Sequence, residues 1–138
     1  MHVSDYMTDN VVTANLRDGL RQTFYRMIER NVRHMPVLDD EERLAGIVSD
    51  RDLRRPDWVD SEENVAHYYL LDNETHVEEA MSPNPYTVHP ETSIEDALAI
   101  FLEHRFGALP VVNAERRVVG ILSAFDVLKA FSKSLKDA

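Results

Sequence analysis

The chain has no cysteine among its 138 residues. Disulfides, thiolate nucleophiles and thiolate metal sites are therefore excluded together. Glycine is scarce too, with four residues, and no Gly-x-x-x-x-Gly-Lys loop is present to bind a nucleoside triphosphate for hydrolysis. No apolar run is long enough to span a membrane, and residues 1–5 lack the basic and then apolar segments of a secretory signal. These absences predict a cytoplasmic protein.

Positive charge is missing from one stretch, because residues 56–79 contain eight acids and no Lys or Arg. Most of the net charge of −10 comes from this stretch: residues 1–55 have nine bases against ten acids, and residues 80–138 six against seven. An acidic belt of this kind repels nucleic acid phosphates and anionic lipids. We therefore expect neither nucleic acid nor membrane as a partner.

Groups that could carry catalysis are scattered. The six histidines include no His-x-x-x-His pair for zinc, and Gly46-Ile-Val-Ser49 lacks the second glycine of a nucleophile elbow. The acidic turn 39–42 has the oxygen atoms that Mg²⁺ or Ca²⁺ prefers, but four acids in a hairpin turn are usually just solvated. The sequence predicts no enzyme and no metal site.

The chain contains an internal duplication. At an offset of 74 residues, positions 2–54 align without a gap to 76–128, and 14 of the 53 pairs are identical. A unit of this size buries too little surface to be stable alone. We therefore expect two copies, residues 1–56 and 76–131, to pack against each other about a pseudo-twofold axis. An acidic connector (57–75) with a helix at 64–71 joins them, and a fraying tail (132–138) follows.

Each copy predicts the element order strand, helix, strand, strand, helix, which is an α+β fold. Apolar residues at helical spacing predict helices at about 18–30 and from Thr92 onward, where Thr92-Ser-Ile-Glu95 has the pattern of a capping box. The predicted strands are 10–13, 35–38 and 44–48 in copy one, with 109–112 and 118–122 as the paired strands of copy two.

Both copies close with Gly-h-h-Ser-x-x-Asp, where h is hydrophobic, at Gly46–Asp52 and Gly120–Asp126. Each motif predicts a buried strand that runs into a helix start, where free N–H groups and the helix dipole favour a phosphate or hydroxyl. The Asp then lies where its two oxygens can accept hydrogen bonds from both hydroxyls of a ribose. Ser-x-x-Asp is equally a capping box, in which the carboxylate turns back onto the Ser backbone N–H.

The doubled motif, together with the h-Pro-Val-h that opens each hairpin, resembles the CBS domain pair, or Bateman module. The resemblance covers the chain from His2 to about Phe131. It implies a sensor that stands alone rather than a catalyst: two clefts between the repeats hold adenosine-containing ligands such as AMP, ADP, ATP, S-adenosylmethionine or an NAD-type dinucleotide.

Carried over position by position, the resemblance implies two sets of ligand-binding residues. Cleft one combines residues closing repeat two with residues of repeat one: Ser123, Asp126, Val11, Val12, Arg33, His34 and Pro36. Cleft two is the reciprocal set: Ser49, Arg51, Asp52, Tyr86, Gly107, Ala108 and Pro110.

We prefer cleft one, because Arg33 and His34 stand where the family often places cations against phosphates. Arg33 is also suited to a solvated helix end, and His34 to capping a carbonyl. Cleft two has the uncharged Gly107 and Ala108 in place of those cations, and Asp50 beside Arg51 repels phosphate.

Two functions stay open. In the first, an adenine nucleotide acts as a regulatory ligand, no cofactor is required, and the module regulates a separate, unidentified protein. In the second, the module is a ligand-independent scaffold, since such pairs typically form homodimers through the helices of both repeats. The stripes with Phe24, Met27 and Phe101 have the apolar surface for that association.

Overall fold

The computed structural model describes residues 1–54 and 73–138. The predicted helix at 64–71 and connector residues 57–72 lie outside the described residues. The chain forms two compact units. One, here called the contiguous unit, comprises residues 12–84, and the other, here called the composite unit, combines residues 1–11 with 85–138.

The contiguous unit contains a four-stranded sheet in the order β1-β2-β3-β4. The first pair is parallel and the other two are antiparallel. Helices α1, α2 and α3 complete its described part. The strands are β1 (Ala14–Asn15), β2 (His34–Leu38), β3 (Leu44–Ser49) and β4 (Ser82–Pro83), and the helices are α1 (Leu20–Arg30), α2 (Asp50–Arg54) and α3 (Val77–Ala80).

The composite unit is built around an antiparallel hairpin. Two single bridges flank this hairpin, Val88 with Val111 on one side and Thr8 with Ile121 on the other. They occupy the positions that β1 and β4 occupy beside the hairpin of the contiguous unit. Its elements are a short 3-10 helix (Val3–Asp5), β5 (Ala108–Val112), β6 (Val118–Ser123), α4 (Ile94–His104) and α5 (Ala124–Asp137).

The first segment of each copy packs on the hairpin of the other copy. Val3 N donates to Thr92 O at 2.8 Å, and Thr8 exchanges two hydrogen bonds of 2.9 Å with Ile121. In the contiguous unit, Val77 N donates likewise to Asp18 O at 2.8 Å. Each compact unit therefore contains parts of both sequence copies, whereas the predicted boundaries follow the copies themselves.

The repeated glycine of each copy lets this segment cross the hairpin closely. A Cβ on Gly46 would lie 2.8 Å from Ser82 O, and one on Gly120 would lie 2.6 Å from Met7 Sδ. Both distances are shorter than van der Waals contact. The close crossing explains why glycine occupies this strand position twice.

Each unit has its own hydrophobic core. In the composite unit the buried residues surround Val3, Leu109 and Leu122, which are 0–1% exposed. In the contiguous unit they surround Met27, Met35 and Val77, with the same exposures. Val3 and Val77 occupy equivalent repeat positions, and each anchors an exchanged segment.

The α+β prediction and all four hairpin strands are confirmed. The strand expected at 10–13 is wrong, because β1 is Ala14–Asn15. The first helix starts later than Asp18, at Leu20, because Asp18 Oδ2 instead accepts from Asn15 N at 2.9 Å. In copy two the helix cap is Ser93 rather than Thr92, since Ser93 accepts from Asp96 N.

The last helix is longer than expected, because residues 132–137 were predicted to lie in a tail after its end. Helix α5 continues to Asp137, although residues 131–138 are all exposed. No glycine or proline follows Phe131, and Lys, Leu and Ala are strong helix formers. Local propensity therefore extends the helix where burial does not.

Candidate functional site

The capping box forms at both Ser-x-x-Asp motifs. At the start of α5, Ser123 Oγ accepts from Asp126 N at 3.1 Å, and Asp126 Oδ2 accepts from Ser123 N at 2.8 Å. Ser49 and Asp52 repeat the pair at 3.1 and 2.9 Å. The capping-box alternative is thus observed in both copies.

The cap does not use up the carboxylates. Within residues 1–54 and 73–138, the side-chain hydrogen bonds of Asp52 and Asp126 are made by Oδ2. A carboxylate has about four lone-pair positions, so Oδ1 keeps the capacity to accept from a ligand hydroxyl. Asp126 is 9% exposed, and its cap fixes the side chain in one orientation. Capping and ribose recognition are therefore compatible.

The residues just before Pro36 (33–35) and just before Pro110 (107–109) are here called the pre-proline segments. In the contiguous unit, the pre-proline segment lies beside the Ser-x-x-Asp motif of its own copy. Asp50 N donates to Arg33 O at 2.9 Å, and His34 pairs with Ser49 across β2 and β3. A groove of about 340 Å³ lies next to this point. It is lined by Phe24, Met27, Ile28, Asn31, Val32, Arg33 and Asp50.

The composite unit has the same backbone arrangement without the cations. Ala124 N donates to Gly107 O at 3.0 Å, and Ala108 pairs with Ser123. Gly107, Ala108 and Phe125 occupy the repeat positions of Arg33, His34 and Arg51. The two helix starts therefore share geometry and differ in charge.

An aromatic cluster adjoins the pre-proline segment of the composite unit. The ring of His104 lies 4.3 Å from that of Tyr86 and 5.1 Å from that of Phe106, measured between centroids. Tyr86 was singled out from the sequence, whereas His104 and Phe106 were missed. The available signal was their position around the end of α4, just before Gly107.

The predicted residues divide between the units. Pro36 and Pro110 are buried in β2 and β5, and Val11 and Val12 are half-buried. Each predicted cleft combines residues of both units, so both cleft assignments stay predictions. The composite unit contains Val11, Tyr86, Gly107, Ala108, Pro110, Ser123 and Asp126, and the contiguous unit contains Val12, Arg33, His34, Pro36, Ser49, Arg51 and Asp52.

The surroundings of His34 favour its neutral form. Burial lowers its pKa below the usual 6.5, and Arg33 lowers it further, while Asp50 and Asp52 partly oppose the shift. An anionic ligand beside His34 would raise the pKa again. The neutral imidazole of the free protein could therefore take up a proton when a phosphate binds beside it.

We expect His34 to make the protein less stable as the pH falls below about 6.5. The unfolded chain then binds a proton that the folded chain resists, so the free energy of unfolding decreases. Urea unfolding between pH 7.5 and 5.5 measures the slope, and His34→Gln should reduce it. At pH 8, where His34 is neutral in both states, the pH-linked difference should vanish. Identical slopes for the two proteins would contradict the assignment.

Neither a membrane-spanning helix nor a metal-binding group is found among the described residues. No helix there is long and apolar enough to cross a bilayer. No group of three His, Asp or Glu side chains in that part of the chain is placed to hold a metal ion. In the acidic turn, Asp39 Oδ1 instead accepts from the backbone N–H groups of Glu41 and Arg43, at 2.8 and 3.0 Å.

Several enzymes contain a segment similar to this chain. L-aspartate semialdehyde sulfurtransferase of Methanocaldococcus jannaschii is 25% identical over 94% of the chain, which spans 23% of that protein. The CBS domain-containing protein CBSX2, chloroplastic, of Arabidopsis thaliana is 30% identical over 93% of the chain, which spans 62% of the relative. The chain therefore spans less than two thirds of either relative.

Solved structures agree with the fold. CBSX2 in complex with AMP is 31% identical, with a TM-score of 0.78 and 96% of each chain covered. The CBS domain pair of protein MJ0100, in complex with 5′-methylthioadenosine and S-adenosyl-L-methionine, has a TM-score of 0.79 at 24% identity, covering 97% and 98% of the two chains. At that identity, MJ0100 supports the fold alone.

The CBS domain family model matches residues 3–56 and 77–133. These two matches repeat the internal duplication and include both Ser-x-x-Asp motifs. The chain therefore belongs to the CBS domain family and contains two CBS repeats.

Proposed function

We propose that this protein is a regulatory sensor that binds an adenosine-containing ligand. The observation that carries the proposal is the fixed orientation of Asp126, whose Oδ2 caps α5 while Oδ1 keeps its accepting capacity. The structure of the relative CBSX2 in complex with AMP, at 31% identity, supports the same ligand class.

The proposed roles follow from the chemistry of each residue. Asp126 accepts hydrogen bonds from the ribose hydroxyls, and Ser123 adds a hydroxyl at the helix start. Arg33 and His34 neutralise phosphate, and the remaining predicted residues of cleft one enclose the base. Cleft two has fewer cations in its pre-proline segment, and we expect it to bind the same class of ligand more weakly.

Regulation of a separate protein, and action in the cytoplasm, are parts of the same proposal. Homoserine O-acetyltransferase of Methanohalobium evestigatum contains a segment similar to this chain: the chain matches 23% of its length at 25% identity. We propose regulation rather than catalysis for the matching segment, with no cofactor required.

The second candidate function is a ligand-independent dimer or interaction scaffold. It is favoured by large apolar side chains left exposed on the helices. Ile28 is 59% exposed, Leu102 72% and Phe125 64%. Association through such faces is compatible with ligand binding, so the two candidates differ in whether a ligand changes the association.

Titration calorimetry with AMP, ATP, S-adenosylmethionine and NADH tests the sensor proposal. We expect at least one compound to bind saturably and to raise the melting temperature by mass action. Arg33→Ala should weaken a phosphorylated ligand more than S-adenosylmethionine. A protein whose mass and melting temperature ignore all four compounds would favour the scaffold.

A further inference from the structure

The groove beside α1 combines an apolar wall with two opposite charges. Phe24, Met27 and Ile28 form the wall along the helix, and Ile28 is 59% exposed. Among the described residues that line the groove, Arg33 and Asp50 are the charged ones. Its volume of about 340 Å³ is near the lower end of the range for small-molecule sites, about 300–1,000 Å³. The groove therefore suits a small ligand that is apolar in one part and charged in another.

Arg33 and Asp50 are held next to each other by the backbone. Asp50 N donates to Arg33 O at 2.9 Å. The adjoining residues, His34 and Ser49, pair across β2 and β3. The sheet thus fixes the main chain of both charged residues, and a guanidinium and a carboxylate border the same groove.

The second copy shows that this backbone arrangement needs neither charge. At the equivalent positions, Ala124 N donates to Gly107 O at 3.0 Å. The same hydrogen bond therefore forms between two residues that have no charged side chain. Because the fold does not require the charges of Arg33 and Asp50, a ligand explains their presence better than the fold does.

The two charges discriminate between classes of small ligand. Asp50 would repel an aliphatic carboxylate, and Arg33 would repel an aliphatic amine. A zwitterion avoids both repulsions, because its carboxylate can accept from the Arg33 guanidinium while its ammonium donates to the Asp50 carboxylate. A free α-amino acid has both groups on one carbon atom, and an apolar side chain on that carbon can pack against Phe24 and Ile28.

We infer that this groove binds a free α-amino acid with an apolar side chain, such as leucine, methionine or phenylalanine. The site lies wholly in the contiguous unit. It goes beyond the function proposed above, because it requires no nucleotide and adds a second class of ligand. The composite unit has Gly107 and Ala124 in place of the two charges, so we expect one amino acid per chain.

Titration calorimetry of the whole protein with L-leucine, L-methionine and L-phenylalanine, in the absence of nucleotide, tests the inference. We expect at least one of them to bind saturably, at one site per chain. The deaminated and decarboxylated forms of that amino acid each lose one charged contact, so each should bind at least about tenfold more weakly. These comparisons use the unaltered protein and do not depend on the folding of a variant.

A pair of matched variants locates the site. Asp50→Asn should weaken binding of the amino acid at least about tenfold, and it should not weaken binding of the deaminated form, which has no ammonium. The control is Asp40→Asn, which alters an exposed acid outside the groove, 3.7 Å from Arg17, and should change neither affinity. Melting curves show whether both variants are folded.

Three results would overturn the inference. The first is that none of the three amino acids saturates the protein. The second is that the deaminated form binds as tightly as the amino acid, because Asp50 would then not contact the ammonium. The third is that Asp50→Asn and Asp40→Asn change the affinity equally. None of these results depends on whether an adenosine-containing ligand binds, so the inference and the proposed function can fail separately.

Discussion

Asp126→Ala is expected to abolish tight AMP binding. The substitution removes the only carboxylate proposed to accept both ribose hydroxyls in cleft one. Two hydrogen bonds to a charged group contribute about 1.5–3 kcal/mol each, so the loss should exceed about 100-fold in Kd. Asp52→Ala should weaken total binding less, because the pre-proline segment assigned to cleft two lacks cations. Titration calorimetry measures both.

Two matched variants separate binding from helix capping. Asp126→Asn keeps an oxygen that can accept from Ser123 N, so the cap persists while the charge is lost. Ser93→Ala removes the cap of α4, in which Ser93 Oγ accepts from Asp96 N at 3.0 Å. This variant should lose about 1 kcal/mol of stability and bind AMP with unchanged affinity. Equal losses from Asp52→Ala and Asp126→Ala would contradict the ranking of the clefts.

Val3→Asp is expected to unfold the composite unit. Val3 is 0% exposed and lies in the core formed mainly by residues of copy two. A buried, unpaired carboxylate costs several kcal/mol, and the milder Val3→Ala should still cost about 2 kcal/mol. Hydrogen exchange should show lost protection in β5 and β6 before any loss in β2 and β3.

The neighbouring Ser4→Asp serves as the control, because Ser4 is exposed and donates only its backbone N–H, to Pro90 O at 3.0 Å. It should leave protection almost unchanged. If Val3→Asp instead exposed β2 and β3 first, the N-terminal segment would belong with its own sequence copy. The exchange of segments described for the two units would then be wrong.

The sequence was sufficient for the hairpins because their signals are local. Apolar strands around Pro36 and Pro110, the turns between strands and the doubled Gly-h-h-Ser-x-x-Asp specify both hairpins and the helix starts after them. The exchange of the first segments was not predictable in the same way. Met7 and Met81 are identical in the alignment, so self-comparison cannot tell which hairpin each one crosses.

For the candidate site, the sequence predicted the motif residues but not the side chains that surround them. Ser123 and Asp126 were recognised from their spacing, but that spacing alone favours a cap over a ribose site, and the structure contains the cap. Tyr86 was identified without His104 and Phe106, because ring stacking depends on where α4 ends. Side-chain neighbours set by a helix terminus are not encoded in a short motif.

The division of the chain also governs the order in which it can fold on the ribosome. All residues of the contiguous unit are available for folding once position 84 has emerged from the ribosome. The composite unit is complete only after Ile121 has been synthesised, because Thr8 pairs with Ile121. Residues 1–11 therefore join their unit later than residues 12–84 join theirs. Until then, residues 1–11 are accessible to proteases and chaperones. A nascent chain that stalls before Ile121 leaves these residues without the β5–β6 hairpin on which they pack.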